Sequence, residues 1–240
     1  MSGIHLGCAG WSLPRQYWGE FAQQGSQLQR YASVLPACEI NSSFYRPHRP
    51  ATYARWAESV PDDFRFCLKL PRTISHERRL VDCKGELQAF LQQSEPLGAR
   101  LGCLLLQLPP SLQYQADEAE AFFVQLRGLF AGALALEPRH ASWLEAEPLL
   151  QRYRLARVAA DPSPIPDGNR PQGYAGLRYY RLHGSPQIYR SAYGEAFLKT
   201  LAAQLLADKQ AGCDVWCIFD NTASGAALGD ALLLRKLVAD

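Results

Sequence analysis

Short apolar runs recur along this chain, and each ends in an ionisable or amide side chain. CEIN closes with Glu39 and Asn41, FRFCLKL with Lys69, and LGCLLLQL with Gln107. LALEPRH then carries Glu137, RVAAD ends at Asp161, YYRLH brings Arg181 and His183, and VWCIFDN ends at Asn221. Apolar runs of this length bounded by turn-forming residues read as buried strands. Seven in succession with polar ends predict a ring of strands that aims its chemistry at one mouth, the site plan of a β/α barrel.

Alternate side chains on a strand face opposite sides. In FRFCLKL, Cys67 and Lys69 share one face while Phe64, Phe66, Leu68 and Leu70 share the other. Gln107 lies on the face of Cys103 and Leu105, and Glu137 on the face of Ala133 and Ala135. The same reading pairs Ala159 with Asp161, and Cys217 and Phe219 with Asn221. The face that ends in a polar group generally has the smaller residues, which marks it as the lumen, with the bulkier face under surrounding helices.

Between the strands, helical spacing predicts helices over 27–35 (stopped by Pro36), 52–59, 85–94, 117–130, 143–153 with Ser142 as its cap, 193–210 and 226–238. Strands are expected at 4–9, at the run through Glu39, at 64–70, 101–108, the run ending at Glu137, 157–161, 177–183 and 215–220. After the sixth strand, PSPIPDGNRPQGYAG is too rich in Pro and Gly for a helix. That helix is expected to be missing or reduced to a turn, with the loop over the mouth. The prediction is an α/β fold, a single (β/α)8 TIM barrel occupying residues 1–240 as one domain.

Hydrophobic residues make up 48% and charged residues 20% of the 240, as in an ordinary soluble domain with a large core. A net charge of +2 gives no global pull toward nucleic acid or membrane, so any cationic site must be local. The seven cysteines sit mostly in apolar runs and read as small buried thiols; Cys213 and Cys217 share a strand face too far apart for a disulfide. A structural zinc site lacks a second Cys/His pair of suitable spacing. No signal peptide or membrane-length apolar stretch is visible, and a reducing cytoplasm is expected.

AGWS, EINSSFYR, the FxFxxKxPRTISH stretch, LLQLPPS, EPRHASW, YYRLHG, and FDN followed by GAA occur in that order. In this ordered set, which covers almost the whole chain, the sequence resembles the YecE-like family, uncharacterised TIM barrels grouped as domain of unknown function seventy-two. The resemblance implies the barrel fold and supplies no reaction. The family commonly has two asparagines where this chain has Asp220–Asn221, and SGW where it has AGW. Strand parity places Asp220 outward, away from the lumen.

The chemistry-bearing residues are expected at the mouth. Glu137 and Glu39 are the first candidates for acid/base catalysis, their pKa values separated by unequal contact with Lys69 and Arg181. His183 is the next proton carrier and Asp161 the third carboxylate. Lys69, Arg181, Gln107, Asn221, Asn41, Arg139 and His140 are candidate substrate-binding groups, with Trp11 and Tyr45 from the aromatic first two loops available for stacking. Lys69 as a Schiff-base nucleophile is disfavoured, since neighbouring carboxylates would keep it charged. No cofactor is assigned. A divalent metal held by Glu39, Glu137, Asp161 and a His is chemically feasible, and the interleaved Lys69 and Arg181 oppose it.

The leading functional reading is an enzyme acting by acid/base chemistry on a small polar, phosphorylated or carbohydrate-like substrate, as a hydrolase, isomerase or lyase. The second is a non-catalytic binder of phosphate-bearing ligands, nucleic acid included, which would use the basic loop of Arg72, His76, Arg78 and Arg79 and the NTASG turn. A third reading is structural: the charged residues form a plug of mutually satisfied ion pairs closing the barrel top.

Overall fold

The computed structural model describes residues 3–239. Ten strands are assigned among them: β1 (Ile4–Ala9), β2 (Ala37–Ile40), β3 (Arg65–Lys69), β4 (Leu101–Gln107), β5 (Ala133–Glu137), β6 (Leu155–Arg157), β7 (Ala159–Asp161), β8 (Gln172–Gly173), β9 (Leu177–Leu182) and β10 (Asp214–Phe219). Helices α1 (Gln27–Ala32), α2 (Ser42–Tyr45), α3 (Pro50–Glu58), α4 (Lys84–Ser94), α5 (Ala116–Leu129), α6 (Glu147–Arg152), α7 (Glu195–Gln210) and α8 (Ala226–Ala239) lie between them. The strands form one sheet in the order β7-β9-β10-β1-β2-β3-β4-β5-β6-β8. All pairings are parallel except that of β6 with the two-residue β8.

The sheet is nearly closed. Its sixth apolar run is split at Val158: β6 pairs with β5, and β7, two residues on, pairs with β9. The fold is thus a mixed α/β structure around a barrel-like, mostly parallel sheet. As the Pro/Gly-rich sequence predicts, no helix lies between β7 and β9; the segment makes turns and the short strand β8. Ser142 does not cap the following helical turns. The His140 side chain accepts from the Ser142 backbone N–H, while Ser142 Oγ accepts from Tyr114 N at 2.8 Å. Among the described residues, no helix is long and apolar enough to cross a membrane.

Buried apolar residues fall into two sets. The larger lies between strands and helices. The smaller contains Cys67, Cys103, Leu105, Ala135, Ala156, Val158, Tyr179, Trp216 and Ile218, and fills the ring. This confirms the inward face of β3, β4 and β5 and overturns it in two places. Val158, not Ala159, points in, so Asp161 belongs to the outward face; and Trp216 and Ile218, not Cys217 and Phe219, fill the lumen. Side-chain size misleads at β10 because its lumen face carries a tryptophan and an isoleucine, Trp216 and Ile218.

Trp216 lies in one layer of the lumen with its register partners His5 and Tyr179. His5 lies over it at 4.5 Å and hydrogen-bonds Asp214 at 2.9 Å; Tyr179 stacks parallel to it at 6.0 Å. Gly102 makes room for this ring, since a Cβ there would lie 2.7 Å from Trp216 Cζ2. Overpacking a filled core typically costs about 1–3 kcal/mol. Gly102→Ala is therefore expected to lower the melting temperature by several degrees, and an unchanged melt would show that the indole is not locked. All seven cysteines are free and buried.

Candidate functional site

The mouth is organised around Arg181, which enters from the end of β9 and is 1% exposed. Its Nε donates to both Glu39 oxygens at 3.1 and 3.2 Å, and Nη2 donates to Glu39 Oε1 at 2.7 Å. Nη1 reaches Glu137 Oε2 at 3.2 Å, and Nη2 also reaches Asp220 Oδ2 at 3.0 Å. One guanidinium thus satisfies three buried carboxylates from three strand ends. A planar fork of donors suits this task where an ammonium would not.

The second oxygen of each carboxylate is also engaged. Glu137 Oε1 accepts from Gln107 at 2.9 Å and from Arg139 at 3.0 and 3.2 Å, with His183 Nε2 at 3.2 Å. Asp220 Oδ1 accepts from Asn41 Nδ2 at 3.1 Å. His183 Nδ1 lies 3.0 Å from Asp220 Oδ2. Tyr179, from the Trp216 layer of the lumen, donates to Glu39 Oε2 at 2.8 Å. Burial would raise the pKa of Glu137, but Arg181, His183 and Arg139 together hold it well below the usual carboxylate range. Asp220 is likewise lowered: burial opposes its charge, and Arg181 and His183 outweigh that.

His183 has a carboxylate at each ring nitrogen. Burial opposes its charge, but the hydrogen bonds to Asp220 and Glu137 raise its pKa above the ordinary imidazole value. A group raised in this way contributes stability that is full below its unfolded pKa and fades as pH rises through the folded value. Asp220→Asn removes one anionic partner, so the fading moves to lower pH. An NMR titration of the His183 ring should show its midpoint falling in this variant; an unmoved midpoint would mean Asp220 does not set the charge.

Lys69 differs from its neighbours. Its side chain ends the lumen face of β3 with only 7% of the residue exposed, and Nζ sits 4.2 Å over the Phe44 ring. Among the described residues it has no ion-pair partner within 4 Å and no side-chain hydrogen bond. Burial, with Arg181 adding repulsion, pushes its pKa down to about 8, although Glu39, Glu137 and Asp220 pull the other way. Those carboxylates are already turned to Arg181.

Of the residues expected at the mouth, Glu39, Glu137, Lys69, Arg181, Gln107, His183, Asn41 and Arg139 come together, and Trp11 lines the same hollow as Glu39 and Asn41. Four do not join them. Asp161 faces Tyr193, whose hydroxyl reaches its Oδ1 at 3.1 Å. Asn221 turns away to donate to Asp230 at 2.7 Å and to Ser191 O at 2.9 Å, tying the end of β10 to α8. Asp220, expected outside, takes the inward position instead, in step with Trp216 and Ile218. His140 stays in its local turn with Ser142. Trp11 packs edge-on against Trp56 and Phe66, and Tyr45 is 74% exposed against Phe44. Tyr179 and Asp220 were missed; Tyr179 was legible, since it shares parity with Arg181 and His183.

The carboxylate set that a metal would need is not assembled. Arg181 lies between Glu39 and Glu137, Asp161 is elsewhere, and among the described residues no three His, Cys, Asp or Glu side chains are placed to hold one ion. Open space remains on either side of the charged cluster. A hollow of about 320 Å³ reaches Glu39 and Asn41 beside Trp11, and one of about 230 Å³ reaches Arg139 and His183. In the basic loop, Arg72 pairs with Glu77, Arg78 with Glu86, and Arg79 with Ser111.

A family model described as a protein of unknown function, DUF72, matches residues 5–240. The UPF0759 protein YecE of Escherichia coli is 38% identical over 106 residues, covering 44% of this chain and 38% of that protein. The UPF0759 protein YunF of Bacillus subtilis is 25% identical over 146 residues, 58% of this chain and 52% of its own length. The chain matches about half or less of these curated relatives. Among solved structures, a DUF72 family protein from Enterococcus faecalis superposes with a TM-score of 0.83 at 23% identity, covering 99% of this chain and 96% of the other. One from Thermotoga maritima gives 0.82 at 24%, covering 99% of both. At these identities the structural likeness speaks for the fold.

Proposed function

We propose, from the premise that this chain belongs to the DUF72 family of proteins of unknown function, that the mouth of its barrel-like sheet binds a small anionic substrate, with Lys69 as the group that meets it. The observation that carries this reading is the unpartnered ammonium. A buried charge is ordinarily paired, because desolvating it costs several kcal/mol. Here three carboxylates lie nearby and are matched by three cations that touch them, Arg181, Arg139 and a protonated His183, so the ammonium of Lys69 is the charge left over at the mouth. A phosphate or carboxylate on a ligand would complete it.

The cluster beneath then has a supporting role. Glu137 and Asp220 are held ionised, which makes them poor acids near neutral pH, and His183 is clamped at both nitrogens. Acid/base chemistry passes in this reading from Glu137 and Glu39 to Lys69, whose lowered pKa suits a proton carrier near pH 8. The ion pairs act as a rigid floor, so the plug and the site are two layers of one structure. We read Leu155 to Asp161 as one strand, which gives eight parallel strands and a single-domain (β/α)8 barrel. Mouths of such barrels are where catalytic groups gather. The small volume of the hollows and the internal pairing of the basic loop favour a small ligand over nucleic acid.

The test is a calorimetric titration of inorganic phosphate across pH. Affinity is expected in the millimolar range or tighter at pH 7, falling about tenfold per unit above pH 8 as Lys69 loses its proton. Absence of any phosphate or carboxylate binding at pH 7 would end the proposal.

A further inference from the structure

The hollow of about 230 Å³ beside the charged cluster has a composition of its own. Arg139 and His183 lie at its base, and most of its wall is apolar: Pro162 and Pro164 from the loop after β7, and Ile188 and Tyr189 from the loop after β9. Ile188 is 51% and Tyr189 41% exposed, so two large side chains stand in water at the mouth. Exposed apolar surface beside a cavity commonly marks a ligand contact.

The chain holds Tyr189 there against its own preference. Its φ is 68°, a left-handed conformation unfavourable for an aromatic residue. Two backbone hydrogen bonds fix it: its N–H donates to His183 O, and its carbonyl accepts from Ala223 N at 3.0 Å. The ring stands edge-on to His183 at 5.7 Å. Strain of this kind persists where the surrounding structure enforces it, and it is concentrated at ligand-binding sites.

We infer that this slot receives the body of the ligand, and that the substrate is a small anion carrying a flat apolar group, of the class of an aryl phosphate or aryl carboxylate. Charge complementarity sets the orientation. Arg139, at the base of the slot, meets the anionic head, while the prolines, Ile188 and Tyr189 cover the ring. A cavity of this volume fits a single six-membered ring with a short substituent. The inference rests on the proposed anion site and adds the substrate's apolar half to it.

Phenyl phosphate and inorganic phosphate, titrated separately into the wild-type protein, Tyr189→Ala and Ile188→Ser, test it. Phenyl phosphate is expected to bind at least about tenfold tighter than inorganic phosphate to the wild type. Each substitution should bring that ratio toward one, and both side chains are exposed enough for the variants to fold. Equal affinities for the two ligands in the wild type, or an undiminished ratio in both variants, would overturn the slot assignment while leaving the anion site standing. Failure of both ligands to bind would remove the anion site and the slot with it.

Discussion

Arg181→Met is expected to be the most damaging single substitution in the chain, lowering stability by at least about 3–5 kcal/mol. A domain of this size has a total stability on the order of 5–15 kcal/mol. The melting temperature should therefore drop by about 10 °C or more. The reason is specific. Methionine fills the volume, but Glu39, Glu137 and Asp220 lose their shared donor while still buried. Arg139 and His183 still reach Glu137 and Asp220, but Glu39 keeps only the neutral hydroxyl of Tyr179.

The pH dependence separates this cause from simple loss of packing. In the wild type, Glu137 and Asp220 have lowered pKa values. Such groups contribute stability above their unfolded pKa, near 4, that is lost as pH falls through the folded value. In Arg181→Met, burial acts on the carboxylates without Arg181 to oppose it, so their folded pKa values rise. A raised group is most stabilising in its protonated state and loses that contribution as pH rises. Between pH 7 and pH 5 the wild-type carboxylates stay ionised and contribute a steady amount, whereas the variant gains as its raised carboxylates take up protons, so the gap between their melting temperatures should narrow over that range. Parallel melting curves across that range would show that Arg181 does not hold the carboxylates ionised.

Much of this arrangement was legible in the sequence, and the reasons for the failures are local. Strand parity with a polar terminus found Glu39, Lys69, Gln107, Glu137 and Arg181 because the register shift between β3 and β4 falls at Gly102, near the start of β4, and leaves the alternation from there to the strand ends intact. The rule that the smaller face points inward failed at β10, where Trp216 occupies the lumen opposite Gly102. The compensating small residue is on another strand, so no window along β10 could reveal it. Parity then went wrong for both Asp220 and Asn221. Asp161 was misplaced because the polar-ended face of its run was taken for the lumen, whereas Ala156 and Val158 point in and leave Asp161 on the other face. The roles within the cluster were hidden for another reason. The sequence suggested that carboxylates would keep Lys69 charged, but which cation takes them depends on donor geometry, and Arg181 engages all three.

Lys69→Met should separate function from stability most cleanly, because the two are expected to change in opposite directions. Methionine keeps an unbranched stem over Phe44 and removes the ammonium. The shift of the lysine pKa from 10.5 to about 8 corresponds to about 3 kcal/mol by which folding disfavours the charged form. With part of that returned as packing adjusts, the variant should melt several degrees above the wild type at pH 7. The lysine has a depressed folded pKa, so its penalty is full below pH 8 and is relieved as pH climbs toward the unfolded value. The variant's advantage should accordingly shrink between about pH 8 and pH 10.5. Phosphate affinity should meanwhile fall about 10- to 100-fold, the range for losing a hydrogen-bonded charge partner. A destabilising ammonium is understandable where it serves a ligand, since function commonly opposes stability at a binding site. A variant that melts lower and binds phosphate as before would instead make Lys69 one more member of the ion-pair floor.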